Sequence, residues 1–188
     1  MAIRIENSFT VPAGVERAWQ VVNDVPRIVP CMPGAELTEA TADGAYRGNM
    51  KVKIGPVQLQ FNGEARLYEV DPAAHTMKMR SRASDVKGRG TVASEMAFVM
   101  APRDGHTEVH VTTDLTLTGS VAQYGRGAGL IKEVANQLTR EFAANLEKLV
   151  REDAPPPPAA SAAAKPVSGL TMLFAALRAM FLRFFSGK

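Results

Sequence analysis

Three histidines and one cysteine are the residues of this chain best suited to metal binding or nucleophilic catalysis, and their spacing favours neither. His106 and His110 lie four residues apart in an alternating run that predicts a β-strand, so their side chains are roughly 13 Å apart. One metal ion cannot bind both at ~2.0–2.1 Å. His75 follows an Asp-Pro turn signal, which leaves no general base for a nucleophile. We therefore predict no metal site and no catalytic residues.

Two other features suggest chemistry at first sight. Cys31 stands just before a Pro-Gly turn signal, where a small buried residue is a simpler interpretation than an activated thiol. The glycine-rich run 125–129 lacks the lysine and the short strand-helix unit of a phosphate-binding loop. We interpret it as a joint between a strand and a helix. A single cysteine also excludes a disulfide framework and fits a reducing compartment.

The charge distribution argues against a nucleic-acid partner. The 188 residues carry a formal net charge of +3, but residues 1–150 contain 17 Lys and Arg against 17 Asp and Glu. A neutral body lacks the clustered positive charge that neutralises phosphates. The surplus lies in the last 38 residues. No signal peptide is recognisable at the N-terminus.

The elements that would position any site follow from hydrophobic periodicity. Residues 3–11 alternate as a strand, 12–22 and 26–31 have helical spacing, and 35–118 contain strand after strand separated by turn signals. Residues 123–150 then change to an amphipathic helix that must cover an apolar surface. The pattern predicts an α+β fold: a curved antiparallel sheet of about seven strands around a long C-terminal helix.

Five short motifs carry a resemblance to a known family. They are CMPG at 31–34, KVKIGP at 51–56, FNG at 61–63, DVKG at 85–88 and AQYGR at 122–126. Over about residues 2–150 the chain resembles the CoxG (carbon monoxide dehydrogenase G-subunit) family, which is part of the START-like (polyketide cyclase, SRPBCC, Bet v 1-like) superfamily. We interpret the glycines and prolines of these motifs as turn residues. The resemblance implies a helix-grip fold and a lipophilic cavity.

The resemblance also implies an accessory protein that attaches a molybdenum-containing hydroxylase, of the carbon monoxide dehydrogenase type, to the membrane. Such an enzyme passes electrons to a membrane chain, so we expect the cavity to accept a respiratory quinone such as menaquinone, with no covalently bound cofactor. Adaptable methionines on neighbouring strands suit such a pocket, although core filling explains them equally well. The expected ligand-binding residues are Phe61, Met77, Met79, Met96, Phe98, Ile131, Val134, Leu138 and Phe142.

The end of the chain differs in composition from the body. Residues 151–168 form a Pro/Ala-rich linker, and 169–188 contain four of the eight phenylalanines. The apolar run of the last segment is shorter than the ~17–25 residues that span a bilayer. It predicts an in-plane amphipathic helix whose arginines contact anionic lipid headgroups. The expected membrane-binding residues are Leu170, Leu173, Phe174, Leu177, Arg178, Phe181, Arg183, Phe184 and Phe185.

Three functions therefore compete. The first is a non-enzymatic ligand-binding accessory protein, held at the cytoplasmic face of the cell membrane by its tail. The second is a structural adaptor with a filled core. The third is a cyclase-type enzyme, which the absence of an acid–base pair disfavours. For the tail itself, docking into a groove of a partner protein or folding back onto the body are the alternatives to membrane binding.

Overall fold

One antiparallel sheet organises the part of the chain that the structure describes. The computed structural model describes residues 2–126 and 128–152, without the side chains of residues 125, 126 and 128. These residues belong to a compact unit, Met1–Asp153. The linker predicted at 151–168, beyond Glu152, and the membrane-binding helix predicted at 169–188 lie outside the described residues.

The sheet has seven strands, as predicted. Their order is β1-β7-β6-β5-β4-β3-β2, and every neighbouring pair is antiparallel. Each strand from β2 to β6 therefore pairs with the next strand along the chain, and β1 lies at the edge of the sheet beside β7. The strands are β1 (Ala2–Val11), β2 (Ala35–Ala40), β3 (Ala45–Ile54), β4 (Val57–Asp71), β5 (Thr76–Asp85), β6 (Thr91–Arg103) and β7 (His106–Leu117).

The helices lie where the periodicity placed them, with one shifted boundary. They are α1 (Val15–Asn23), α2 (Val25–Ile28) and α3 (Ala128–Glu152), with 3₁₀ helices at Val29–Cys31 and Gly119–Arg126. The long helix was predicted to begin at residue 123, which is wrong, because residues 123–126 belong to the second 3₁₀ helix. Glycines at 125, 127 and 129 disfavour the α-helical conformation and explain the late start.

Alternation gives the sheet an apolar inner face and a charged outer face. Along β4, Leu59 and Phe61 are buried, whereas the intervening Gln58, Gln60 and Asn62 alternate to the other side. We call the side of Leu59 the inner face. Two groups of buried side chains cover it, one beneath α1 and the C-terminal part of α3, and one around the first turns of α3.

Helix α3 packs mainly against β1 and reaches the short Val29–Cys31 helix. The rings of Phe9 and Phe142 meet edge to face with centroids 5.7 Å apart, and the Asn7 side chain donates a 2.7 Å hydrogen bond to Asn136. Further along α3, the Asn145 amide donates to the carbonyl of Cys31 at 3.1 Å. These contacts hold the helix across the inner face. Within the described residues no helix combines the length and hydropathy needed to cross a membrane.

Candidate ligand-binding site

The inner face contains a hollow where its side chains are small. This inner pocket, with a volume of about 200 Å³, lies over β2–β5 and reaches Val29 of the first 3₁₀ helix. Met50 and Phe61 supply apolar walls, and the other inner-face residues of its lining include Gly48, Gly63, Ala65 and Ala83. Elsewhere on the same face the space is filled by larger residues such as Met77. The pocket exists because small residues replace large ones.

The two glycines are required by close approach of the backbone. Gly48 and Gly63 are direct cross-strand partners on β3 and β4. A Cβ atom on Gly63 would lie 2.5 Å from the Cβ of Ala83, and one on Gly48 would overlap the carbonyl oxygen of Glu36. Side chains at these positions cannot be accommodated without moving a neighbouring strand. The interpretation of motif glycines as turn residues is therefore wrong for Gly63, which lies inside β4.

A second opening lies beside the inner pocket, between α3 and the end of β3. This helix cleft has a volume of about 410 Å³, and Val52, Val134 and Leu138 form its apolar part. Charged and amide groups border it, among them Lys51 and Glu133. Since Met50 of the pocket and Val52 of the cleft are two residues apart on one face of β3, the two spaces follow one another along that strand.

The nine expected ligand-binding residues are divided between these spaces and the core. Phe61 lines the inner pocket, and Val134 and Leu138 line the helix cleft. Met77 and Ile131 are buried in the core, and Met79 is half-buried beside Leu67. The remaining three pack against the buried cluster, namely Met96, Phe98 and Phe142. A role of all nine in ligand binding stays a prediction.

Sequence reasoning missed the small residues that create the pocket. Three of them stand at inner-face positions of regular strands, namely Gly63, Ala65 and Ala83. A decrease in side-chain size along an apolar stripe could therefore have indicated the pocket. Attention to large, adaptable residues such as Met96 pointed instead to well-filled parts of the core. The pairing of Gly63 with Gly48 required the register of β3 and β4.

The described residues supply no catalytic constellation. His106 and His110 are exposed, and the His110 ring lies 3.5 Å from the Glu108 carboxylate. Burial raises the pKa of the Cys31 thiol, which makes it a poor nucleophile. Among these residues no three His, Cys, Asp or Glu side chains come close enough to hold a metal ion.

His75 has a more specific environment than the sequence indicated. It lies in the turn between β4 and β5 with a φ of 50°, as expected of a turn residue. Its ring packs edge to face on Trp19 with centroids 5.6 Å apart, and its Nε2 atom is 3.1 Å from Glu16. The histidine thus fastens the turn to α1 and is not among the residues that line the inner pocket.

One buried carboxylate stands at the edge of the inner face. Asp85 pairs with Phe61 across β4 and β5, and its side chain is fully buried. The Arg89 guanidinium donates to both carboxylate oxygens at 2.7 and 2.8 Å, and the backbone N–H of Lys87 adds a third bond at 3.0 Å. These bonds, above all those from Arg89, hold the pKa of Asp85 well below its usual range. The ion pair is formed throughout the neutral range.

The same loop anchors the second 3₁₀ helix. The carbonyl of Arg89 accepts hydrogen bonds from the Ser120 hydroxyl at 2.9 Å and from the backbone N–H of Val121 at 3.2 Å. Val121 is fully buried in the core group around the first turns of α3. The Asp85–Arg89 pair therefore stabilises the junction that leads into α3 and so positions one wall of the helix cleft.

Solved structures with the same architecture define the class of fold. A conserved protein from Geobacillus kaustophilus is 20% identical, with a TM-score of 0.69, and covers 81% of this chain and 96% of its own. An aromatase/cyclase from a Streptomyces species is 15% identical (TM-score 0.56, 81% and 95% covered). A START superfamily protein from Mycobacterium smegmatis is 18% identical (TM-score 0.54, 79% and 97% covered). The chain has the helix-grip fold of START and Bet v 1-like proteins, as predicted.

Sequence comparison narrows the assignment within that class. The family model of CoxG, the G-subunit of carbon monoxide dehydrogenase, matches residues 8–151, which is most of the chain. The protein belongs to this family, and the prediction from its motifs is confirmed. Comparison with curated proteins finds no match.

Proposed function

We propose that this protein is a non-catalytic accessory protein that binds a lipophilic ligand in the inner pocket and recruits a molybdenum-containing oxidoreductase of the carbon monoxide dehydrogenase type to the membrane. The inner pocket is the observation that carries the proposal. Its inner-face lining combines apolar side chains and small residues with the hydroxyls of Tyr46 and Ser81, and the helix cleft follows it along β3. Ligand sites are commonly apolar hollows of this kind with a few polar groups at the border.

The size of the two spaces favours a ligand with a compact head and a chain. About 200 Å³ corresponds to on the order of seven water molecules, which suits a small ring system. The helix cleft adds about 410 Å³ with an apolar interior and a charged border, which suits a hydrocarbon chain that leaves the protein. A respiratory quinone such as menaquinone has this shape and would connect the oxidoreductase to the lipid-soluble electron pool.

The proposed partner is inferred from the family, and the proposed location is inferred from the composition of the C-terminal segment. Membership of the CoxG family supports a molybdenum hydroxylase of the carbon monoxide dehydrogenase type as the partner. The phenylalanine-rich segment 169–188 supports peripheral attachment to the cytoplasmic face of the cell membrane.

The test is occupancy of the pocket. Protein purified from membranes is extracted with organic solvent, and the extract is analysed by mass spectrometry for isoprenoid quinones. In parallel, Ala65→Leu fills the pocket, whereas Ala97→Leu adds the same volume on the outer face of β6. We expect the extract of the wild type and of Ala97→Leu to contain quinone, and the yield from Ala65→Leu to fall at least about tenfold. Titration with menaquinone-2 measures the same difference.

The alternatives are separate outcomes of this experiment. Absence of quinone from the wild-type extract, together with no binding of menaquinone-2, contradicts ligand binding and leaves a structural adaptor. Equal quinone content in Ala65→Leu and the wild type contradicts the inner pocket as the site. If the extract contains a different lipophilic molecule that is lost only from Ala65→Leu, the inner pocket remains the proposed site and the ligand is not a quinone.

A further inference from the structure

The outer face of the sheet carries a depression that ligand binding does not use. This outer trough, with a volume of about 750 Å³, extends over β4–β7 and is lined by charged side chains and Tyr68. A neighbouring depression of about 560 Å³ over β2–β5 shares Glu64 and Arg82 with it. The strands that form the inner pocket thus present a second concave surface on their other side.

Two arginines oppose each other in the trough. Arg66 on β4 and Arg80 on β5 are direct cross-strand partners, an arrangement that destabilises a sheet because like charges face each other. Arg66 is compensated by an ion pair with Asp43 at 2.6 Å. The guanidinium of Arg80 lies 4.4 Å from the centre of the Tyr68 ring. Glu95 stands opposite Arg80 on β6, but Arg80 forms no ion pair within 4 Å with any residue that the structure describes.

Arg82 adds a further uncompensated charge on the same face. It stands opposite Glu64, but that carboxylate already lies 3.6 Å from both Arg47 and Arg66. Within the described part of the chain Arg82 has no ion-pair partner. Arg80 and Arg82 are two residues apart on β5, so their side chains emerge roughly 6–7 Å apart. The trough therefore presents two guanidinium groups with unused hydrogen-bond donors.

We propose that the outer trough is a docking surface for an acidic patch of a partner protein, with Arg80 and Arg82 as the residues that recognise its carboxylates. An arginine fork matches a carboxylate in bidentate geometry, and Arg80 is already oriented by its stacking on Tyr68. The proposal rests on the proposed function in one respect, since the first candidate partner is the molybdenum-containing oxidoreductase.

The mixed charge of the trough favours a protein over a polyphosphate. Glu64, Glu95 and Asp114 line it together with the arginines, and the body as a whole is neutral. Such a surface repels a continuous line of phosphates but complements a protein surface that carries both signs. Because inner and outer side chains alternate, the ligand and the partner would occupy opposite faces of the same strands without competing.

The test compares two double variants with the same change of charge. Arg80→Gln with Arg82→Gln removes the two trough charges, and Arg140→Gln with Arg151→Gln removes two exposed charges on α3. Each full-length protein is titrated by biolayer interferometry against the purified carbon monoxide dehydrogenase-type enzyme and against a net-acidic synthetic decapeptide in which Glu residues are interspersed with a few Lys residues. We expect the trough variant to bind at least about tenfold more weakly than the wild type, and the α3 variant to bind within about twofold of it.

A stability measurement separates recognition from a structural role. Removal of Arg80 relieves its opposition to Arg66 but also removes the positive charge opposite Glu95 and the contact with Tyr68. Because these exposed interactions are weak and of opposite sign, we expect Arg80→Gln to unfold within about 2 °C of the wild type. A clear fall in its melting temperature, with binding lost in proportion, would contradict the proposal, because Arg80 would then serve the sheet itself. Arg80→Lys retains the positive charge but lacks the bidentate geometry of a guanidinium group, so we expect it to retain only part of the affinity.

The remaining outcomes distinguish the surface from the partner. If the enzyme binds the wild type and the trough variant equally, the docking surface is wrong while recruitment of the enzyme stands. If only the acidic peptide binds, and its binding requires Arg80 and Arg82, the surface stands and the proposed partner is wrong. If neither probe binds the wild type, the docking surface is overturned.

Discussion

Alternate residues of β3, β4 and β5 form the inner and the outer face of the sheet. Both faces contain a concave surface, but the two surfaces arise in different ways. The inner pocket results from missing side chains, since Gly48, Gly63 and Ala65 leave space beside Phe61. The outer trough results from long charged side chains such as Arg66 and Arg80 that border an open surface. In the proposed function, the inner face selects a ligand by shape and apolarity, and the outer face selects a partner by charge.

The difference teaches that burial makes substitutions costly on the inner face, whereas contact with solvent weakens their effect on the outer one. An inner substitution changes volume or charge against rigid, buried neighbours, so its effect is large and falls on stability and ligand binding. An outer substitution changes solvent-screened charge, so its effect on stability is small and falls mainly on association. The three predictions below test this contrast, in order of decreasing effect.

The largest effect on stability is expected where a charged side chain lies on the inner side of the sheet. Asp85→Asn removes the partner of Arg89 from a fully buried position, whereas Asp114→Asn removes an exposed carboxylate 3.6 Å from Arg4 on the outer face. We expect the first variant to lower the melting temperature by roughly 10 °C and the second by less than about 2 °C. Thermal unfolding followed by circular dichroism at pH 7 measures both.

The pH dependence gives this prediction a second test. The pKa of Asp85 is lowered in the folded protein, so its contribution to stability is complete above its unfolded pKa of about 3.8. That contribution is lost as the pH falls through the folded pKa. The difference in stability between the wild type and Asp85→Asn should therefore be constant near neutrality and shrink below about pH 4. A difference that grows on acidification would contradict the assignment.

An intermediate effect is expected at the floor of the inner pocket. Gly63→Ala places a Cβ 2.4 Å from the Arg82 carbonyl oxygen, much closer than van der Waals contact allows, whereas a Cβ on Gly129 in the first turn of α3 meets nothing within 4 Å. We expect Gly63→Ala to destabilise the protein by about 1–3 kcal/mol and Gly129→Ala to stabilise it by about 0.5–1 kcal/mol. Urea unfolding measures both, and equal effects would show that the strands are not closely packed there.

The smallest effect on stability is expected on the outer face, where the direction of the change in affinity tests the charge-based account. Glu64→Gln removes the carboxylate that approaches Arg47 and Arg66, in the trough that Arg82 also lines. Because exposed ion pairs contribute only ~0.2–1 kcal/mol, stability should change little. Affinity for the acidic decapeptide should rise about two- to threefold, since positive charge in the trough increases. A fall in affinity would contradict the charge-based account of this face.

The sequence predicted the fold well because the fold depends on local periodicity. The alternation of Leu59, Phe61 and Leu67 with polar residues defines β4, and the stripe that contains Val134 and Leu138 defines α3. Turn signals separated the remaining strands. The start of α3 was missed because glycines near residue 127 interrupt the helical pattern without marking where the α-helix begins.

The two concave surfaces could not be predicted in the same way, because they depend on pairing between strands. Gly63 creates a hollow only because Gly48 lies opposite it, and Arg80 has Arg66 on one side and Glu95 on the other only because of the pairing of β4, β5 and β6. Both facts are properties of register. Residue size along the inner stripe would have indicated the position of the pocket, but no local pattern indicates the trough.

The most direct test of the account is a crystal structure of the protein purified from membranes. We predict electron density for a ring-shaped group in the inner pocket, between the Gly48–Gly63 pair and Val29, with a chain that continues through the helix cleft past Leu138. A pocket closed by the side chains of Met50 and Phe61, or a lipophilic molecule bound elsewhere on the protein, would contradict the central claim.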